Sequence, residues 1–307
     1  MKKEENSLPH FSSLTEAHRA FGIARPQHPL ISVINGLQSE LENVQLPRRH
    51  VLGFYKISLK PPLSGRLKYG QSFYDFDEGG LLFAAPGQVI GSNDQELPEV
   101  CSEYTLLIHP DFLLGYPLAK TIRQHGFFSY STNETLHLSE EEKATITGLF
   151  ALIEKELNSR IDDFSHDVVI AQIELLLNYA NRFYNRQFIT RKALNNDLLQ
   201  KMEELLDRYF DEEVSLNRGV PSVQELAEKL NLSPSYLGDM LRSLTGQNAQ
   251  QHIHHKLIEK AKEKLSTTTL SISEIAYELG FGHPQSFSKL FKMKTKLSPQ
   301  EFRRSFN

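Results

Sequence analysis

Cysteine is nearly absent: Cys101 is alone among 307 residues. One thiol excludes an intrachain disulfide framework and any multi-cysteine zinc site, and it fits a reducing compartment. No apolar run approaches the roughly 18–20 residues that span a bilayer, so no membrane is expected as a partner. The start, Met1-Lys2-Lys3-Glu4-Glu5-Asn6, has no apolar stretch behind it. A secretory leader is therefore not expected, and a cytoplasmic location is. There is no Walker loop, no G-x-S-x-G and no G-x-G-x-x-G. Cys101 has no sequence-near base and reads as a half-buried small residue. No catalytic residue, cofactor or enzyme activity is expected.

What is present suffices for a packed protein. Hydrophobic residues make up 39% and charged residues 23%. At about 150 residues per domain the length predicts two domains. The net charge of -4 hides an asymmetry: Leu216–Asn307 holds 13 Lys and Arg against 8 Asp and Glu, a net of +5, and the remainder carries -9. A basic end on an acidic body points to an anionic partner for the C-terminal part alone.

The first half is β-rich. Val51–Leu59, Gln71–Phe76, Leu81–Ala85 and Glu103–Ile108 are short strand candidates punctuated by Gly and Pro, the texture of a small barrel or sandwich. Asp75, Asp77 and Glu78 sit at a Gly-Gly turn and read as a solvated hairpin tip. Helices follow. Ser139 with Glu142 forms a capping box ahead of Ile146, Leu149, Phe150, Ile153 and Leu157, which share one helix face. A longer helix over about His166–Gln187 carries two apolar stripes, one through Val169, Ile173, Leu176, Ala180 and Phe183, another through Ile170, Leu177 and Tyr184. Two faces need two partners, and the second is either a neighbouring subunit or another helix of the chain. Periodicity lapses from Phe188 to Asp197, which places a linker there.

One pattern occurs twice in the C-terminal part. Ser222 and Glu225 open a helix with Val223, Leu226, Ala227 and Leu230 inward; after Asn231-Leu232, Ser233-Pro234 opens a second with Leu237, Met240, Leu241 and Leu244 inward. Ser273 precedes a helix burying Ile275, Ala276 and Leu279; Gly280-Phe281-Gly282-His283 turns, and Pro284 opens a helix with Phe287, Leu290 and Phe291 inward. Two short helices around a tight turn are helix-turn-helix geometry. A helix over about Ala249–Leu265 joins the two, a rod roughly 24 Å long that can hold two recognition helices about one DNA turn apart.

The segments Ile272-Ser273-Glu274-Ile275-Ala276-Tyr277-Glu278-Leu279-Gly280-Phe281, Ser286-Phe287-Ser288-Lys289-Leu290-Phe291-Lys292 and Leu297-Ser298-Pro299-Gln300-Glu301-Phe302-Arg303 closely resemble the signature of the AraC/XylS transcription regulators. The resemblance covers about the last hundred residues. Upstream, His28-Pro29-Leu30-Ile31, Lys68-Tyr69-Gly70 and Ala85-Pro86-Gly87-Gln88 resemble the cupin-like sensor arm of a subgroup. The implied fold is α+β and multidomain. An N-terminal cupin-like β-barrel with a helical hairpin would form a sensor and dimerisation domain over residues 1–190, with its β part at about 25–110 and its helices at about 111–188. A linker would follow at 191–199. An all-α DNA-binding domain would occupy 200–307, with helix-turn-helix motifs at about 222–245 and 272–294 joined by a linker helix.

The resemblance implies binding of double-stranded DNA, a small-molecule effector, a homodimer and an activator working with RNA polymerase. No effector-binding residue can be named. The implied DNA-facing positions are Ser235, Tyr236, Gly238, Asp239 and Arg242 in the first motif, and Pro284, Gln285, Ser286, Lys289 and Lys292 in the second. Gln285 can reach adenine, Lys289 guanine, and either can reach phosphate; Lys292 positions the helix on the backbone. Asp239 stands where the family usually has a basic residue, Lys296 where it has a turn glycine, and Leu257 where an arginine is common.

Two alternatives stay open. A cupin-type metalloenzyme fused to a DNA module should show His-x-His with a later Glu and His, but His28, His50, His109, His125 and His137 are scattered. A tightly bound metal would support it. His252, His254 and His255 share one helix without the carboxylate of an H-E-x-x-H site. An architectural DNA protein would bind random sequences with flat affinity.

Overall fold

Short apolar segments bounded by turn residues form ten strands in the computed structural model, which describes residues 8–36, 49–61, 66–69, 72–75, 79–91, 102–131, 134–159, 164–211 and 214–306. They are β1 (His10–Phe11), β2 (Ile31–Asn35), β3 (Arg49–Leu52), β4 (Tyr55–Lys60), β5 (Arg66–Tyr69), β6 (Ser72–Asp75), β7 (Gly80–Ala84), β8 (Val89–Gly91), β9 (Tyr104–Ile108) and β10 (Leu136–His137). The helices of the first half are α1 (Leu14–Ala20), α2 (Leu118–Thr121), α3 (Glu140–Leu157) and α4 (Ser165–Thr190). The rest are α5 (Lys192–Asp211), α6 (Val214–Arg218), α7 (Val223–Lys229), α8 (Pro234–Thr245), α9 (Ala249–Thr267), α10 (Ile272–Glu278), α11 (Pro284–Thr295) and α12 (Pro299–Arg304). Two compact units divide the chain, Met1–Gln187 and Phe188–Asn307. Cys101, Asp77 and Glu78 and the side chain of Asp75 lie outside the described residues.

In the first unit the strands form a five-stranded sheet in the order β10-β7-β4-β9-β2, a three-stranded sheet β1-β3-β8 and the pair β5-β6. The barrel expected from the sequence is not closed among the described residues. Closure would need β2 or β10 to pair with the smaller sheet, and β2 pairs with β9 while β10 pairs with β7. The single strand expected over Val51–Leu59 is two strands in different sheets. Gly53 donates its N–H to the Phe11 carbonyl at 2.8 Å, and a Cβ there would lie 3.3 Å from that oxygen. The chain changes direction at this contact, sending β3 to the small sheet and β4 to the centre of the large one.

Ile57, Leu59, Phe83, Leu106 and Ile108 alternate along the large sheet and are buried. Phe83 meets Phe127 at 4.4 Å, and Phe127 stacks on Tyr184 of α4 at 5.5 Å. Ser139 caps α3 with Glu142 as the sequence predicts. Both stripes of α4 are buried inside the unit: Ile170 is 4% exposed, Leu177 1% and Tyr184 3%. The second stripe is therefore not a free dimer face. A charge at Ile170 or Leu177 would destabilise the unit itself rather than release a monomer.

The linker expected at 191–199 is helical. Only Arg191 separates α4 from α5, and Asn195 donates to the Phe188 carbonyl at 2.7 Å, tying the end of one helix to the start of the next.

The second unit packs around α9, a 19-residue rod about 28 Å long. Leu257, Ala261 and Leu265 of α9 meet Tyr209 and Phe210 of α5, Ile275, Ala276 and Leu279 of the α10 end, and Phe287 and Phe291 of α11. Leu257 is fully buried, which accounts for an apolar residue at that position. The turn of each helix pair needs a left-handed residue: Asn231 at φ 56° after α7, Gly280 at φ 88° after α10. Gly280 has a second reason, since a Cβ there would lie 2.4 Å from the Gly219 carbonyl carbon. The cap of α10 is Ser271, paired with Glu274, and not Ser273, which lies in the first turn.

Lys296 ends α11 at φ 68°, where Gly246 ends α8 at φ 74°. A side chain in this conformation costs about 1–2 kcal/mol. Lys296→Gly should stabilise the second unit by about 1 kcal/mol in urea denaturation. An unchanged or lower midpoint would show that the lysine relieves its own strain.

Candidate nucleic-acid interface

The two pairs α7–α8 and α10–α11 are built alike from their first residues. Ser222 and Ser271 accept from the N–H groups of Glu225 and Glu274, whose carboxylates return the bond. Those bonds, backbone first and then serine hydroxyl, hold both carboxyls below their usual pKa, so the caps stay charged into acid. In each pair the second helix opens on proline, Pro234 or Pro284, and runs twelve residues.

The helical repeat places Ser235, Asp239 and Arg242 along one face of α8 and Gln285, Lys289 and Lys292 along the equivalent face of α11. On α11 the core holds Phe287 and Phe291, while Gln285, Ser286, Lys289 and Lys292 are exposed and Pro284 is half-buried. On α8 the core holds Tyr236, Leu237, Met240 and Leu241; Ser235, Gly238 and Asp239 are half-buried and Arg242 is exposed. Tyr236 thus departs from the sequence expectation. It is 7% exposed and meets Phe188 edge-on at 5.2 Å, so it is a core residue that seats α8 and is not on the outer face.

Charge differs between the two faces. Among the described residues no carboxylate lies within ion-pair distance of Lys289 or Lys292. On α8 Asp239 and Arg242 pair at 3.0 Å, and the face is neutral. Three of the four lysines of α9 are spent on the scaffold, Lys256 on Asp207 at 2.7 Å, Lys260 on Asp211 at 2.6 Å and Lys264 on Glu278 at 2.7 Å, while Lys262 lies 6.0 Å from the Phe302 ring. Of the two recognition-helix faces, the one with an excess of positive charge is therefore that of α11. Lys296 is exposed just beyond this helix as its left-handed cap, and its ammonium donates to the Met293 carbonyl at 3.5 Å.

The histidines of α9 go to separate neighbours. His252 shares a hydrogen bond with the Thr245 hydroxyl at 2.9 Å, His254 with the Gln250 amide at 2.9 Å, and His255 lies 3.8 Å from Glu259. Burial, then the charge of Lys294, lowers the pKa of His254 and so favours its neutral form.

The first unit contains a cavity of about 190 Å³, bordered by Lys56, Lys60, Phe83, Gln88, Glu134 and Tyr184 among others. It lies along the edge of β7 beyond its short pairing with β10. No helix among the described residues is long and apolar enough to cross a membrane.

Residues 226–305 match a helix-turn-helix domain family. The chain is 24% identical over 275 residues to the HTH-type transcriptional activator RhaS of Salmonella dublin, covering 87% of this chain and 91% of that protein. An uncharacterised HTH-type transcriptional regulator of Staphylococcus aureus is 22% identical over 229 residues, which are 74% of this chain but span only 29% of that relative's length. Among solved structures, the C-terminal domain of the response regulator yesN from Fusobacterium nucleatum is 33% identical, covering 33% of this chain and 96% of its own, with a TM-score of 0.29. The relatives are transcription regulators, and the matched segment spans most of both helix pairs, α8 and α11 included. Residues 226–305 therefore form a helix-turn-helix domain of the AraC type, as the family model and the transcription-regulator relatives together indicate.

Proposed function

We propose that the chain controls transcription by binding a specific double-stranded DNA site with α8 and α11 in successive major grooves. The observation that carries this reading is the pair of equivalent faces on two twelve-residue helices that each open on proline, one of them bearing two exposed lysines that form no close ion pair among the described residues. Lys289 and Lys292 supply the salt-dependent attraction to phosphate, and Gln285 reads a base edge. Because the α8 face is neutral, the half-sites contribute unequally, and most of the affinity comes from the half under α11. The alternatives fit less well. An architectural protein needs no outward glutamine flanked by cations, and the histidines expected of a cupin metal site do not form a group that could hold an ion among the described residues.

The first unit is the sensor in this reading, and the cavity beside β7 is where a small-molecule effector would sit. It is smaller than the roughly 300 Å³ at which common ligand sites begin, so the effector would be small. A cytoplasmic homodimer that works with RNA polymerase completes the proposal. The dimer must use residues other than Ile170 and Leu177; Leu152, Val168 and Leu175 are apolar and exposed on α3 and α4.

A division experiment tests the assignment. A fragment starting at Phe188 keeps the Phe188–Tyr236 contact and all of α5, which a cut at Asn195 would lose. Residues 188–307 should shift DNA in a gel and residues 1–187 should not. A shift by the N-terminal fragment alone would contradict the assignment.

A further inference from the structure

Two glycines stand inside α-helices among the described residues, Gly148 of α3 and Gly238 of α8, and at neither would a Cβ meet another atom within 4 Å. Glycine is less favourable than alanine in a helix interior. Nothing among the described residues therefore asks for glycine at 238. That position borders the outer face of α8, and the next residue is Asp239, whose carboxylate holds the Arg242 guanidinium at 3.0 Å. Their side chains are 32% and 61% exposed, so the pair is formed at the surface and offered outward.

A helix that only gripped phosphate would carry cations with no carboxylate in close ion-pair contact, as the outer face of α11 does. A carboxylate on such a helix weakens that grip. What it provides instead is orientation: an arginine held by one N–H keeps its other donors for a planar, bidentate target. In the major groove that target is guanine, through O6 and N7. We propose that Arg242 reads a guanine, that Asp239 positions it, and that Gly238 lets the α8 backbone approach the base edges more closely than a methyl group would permit. The inference rests on the DNA-binding reading above and divides the labour: α11 supplies most of the affinity together with the Gln285 base contact, and α8 adds discrimination at a guanine.

The test uses the full chain and DNA recovered from a random pool. Affinity is measured at one salt concentration on the recovered site, on that site with the guanine pair under α8 changed, and on random DNA, together with Tm. The wild type should prefer the guanine site about tenfold. Asp239→Asn should cut that preference to about threefold or less while binding random DNA as tightly or more tightly, because a negative charge near phosphate is gone. Gly238→Ala should raise Tm by about 2–5 °C yet weaken the recovered site about fivefold or more. The control Gly148→Ala should raise Tm alone. Undiminished preference in Asp239→Asn, or unchanged site affinity in Gly238→Ala, would overturn the proposal. If the wild type recovers no site, the DNA-binding reading itself fails. If it recovers one that Gln285→Ala relaxes and Asp239→Asn does not, only this inference fails.

Discussion

Replacing Gln285, Lys289 and Lys292 together by alanine should lower affinity for the chain's DNA site about 10²–10³-fold. A bidentate base contact is worth roughly 1–3 kcal/mol, and each neutralised phosphate adds about 0.9 to the salt slope. The logarithmic salt dependence should therefore flatten by about two units. The fold should survive. All three side chains are exposed on α11, none is in the core that holds Phe287 and Phe291, and alanine favours helix. A triple variant with wild-type affinity and unchanged Tm would remove α11 from the interface.

Tyr236→Ala should destabilise the second unit by roughly 3–5 kcal/mol, the range for truncating a buried aromatic. Tyr236 sits on the inner face of α8 against Phe188, and Leu237, Met240 and Leu241 beside it are fully buried. Loss of the ring leaves a cavity under the recognition helix, and DNA binding should fall with folding. Tyr236→Phe keeps the ring and should recover most of both. Denaturation curves for the two variants separate the roles. A Tyr236→Ala protein as stable as the wild type but deficient in DNA binding would return Tyr236 to the outer face where the sequence pattern put it.

The C-terminal helices are legible because their caps are local. Ser222–Glu225, Ser233–Pro234 and Ser298–Glu301 announce starts within four residues, and the inward positions keep a strict helical period. Tyr236 was misplaced because a tyrosine three residues into a helix fits either face by composition, and Phe188, which buries it, lies 48 positions upstream in the seeming linker. The lapse of period over 188–197 has a related cause, although the segment from Lys192 is helical. Gln187 and Asn195 are polar yet 2% and 3% exposed, satisfied by the backbone of Thr135 and His137 in one case and of Phe188 in the other. Buried polar residues break the apolar period without breaking the helix.

In the first half the signals are long-range. Nothing near Gly53 in sequence reveals that the Phe11 carbonyl will pack against it and split a strand in two. The two-residue strands β1 and β10 are too short to show alternation, and which sheet edges meet is set by pairings 41 to 57 residues apart. The second stripe of α4 is correctly apolar, but sequence alone could not decide between a partner subunit and the aromatic cluster of Phe127 and Tyr130 that meets Tyr184.

Selection from a random DNA pool by the full-length chain tests the central claim most directly. The account predicts one recovered site of two unequal half-sites about one helical turn, roughly 34 Å, apart, with the half under α11 contributing most of the affinity. Recovery of all sequences in equal measure at fixed salt would contradict it.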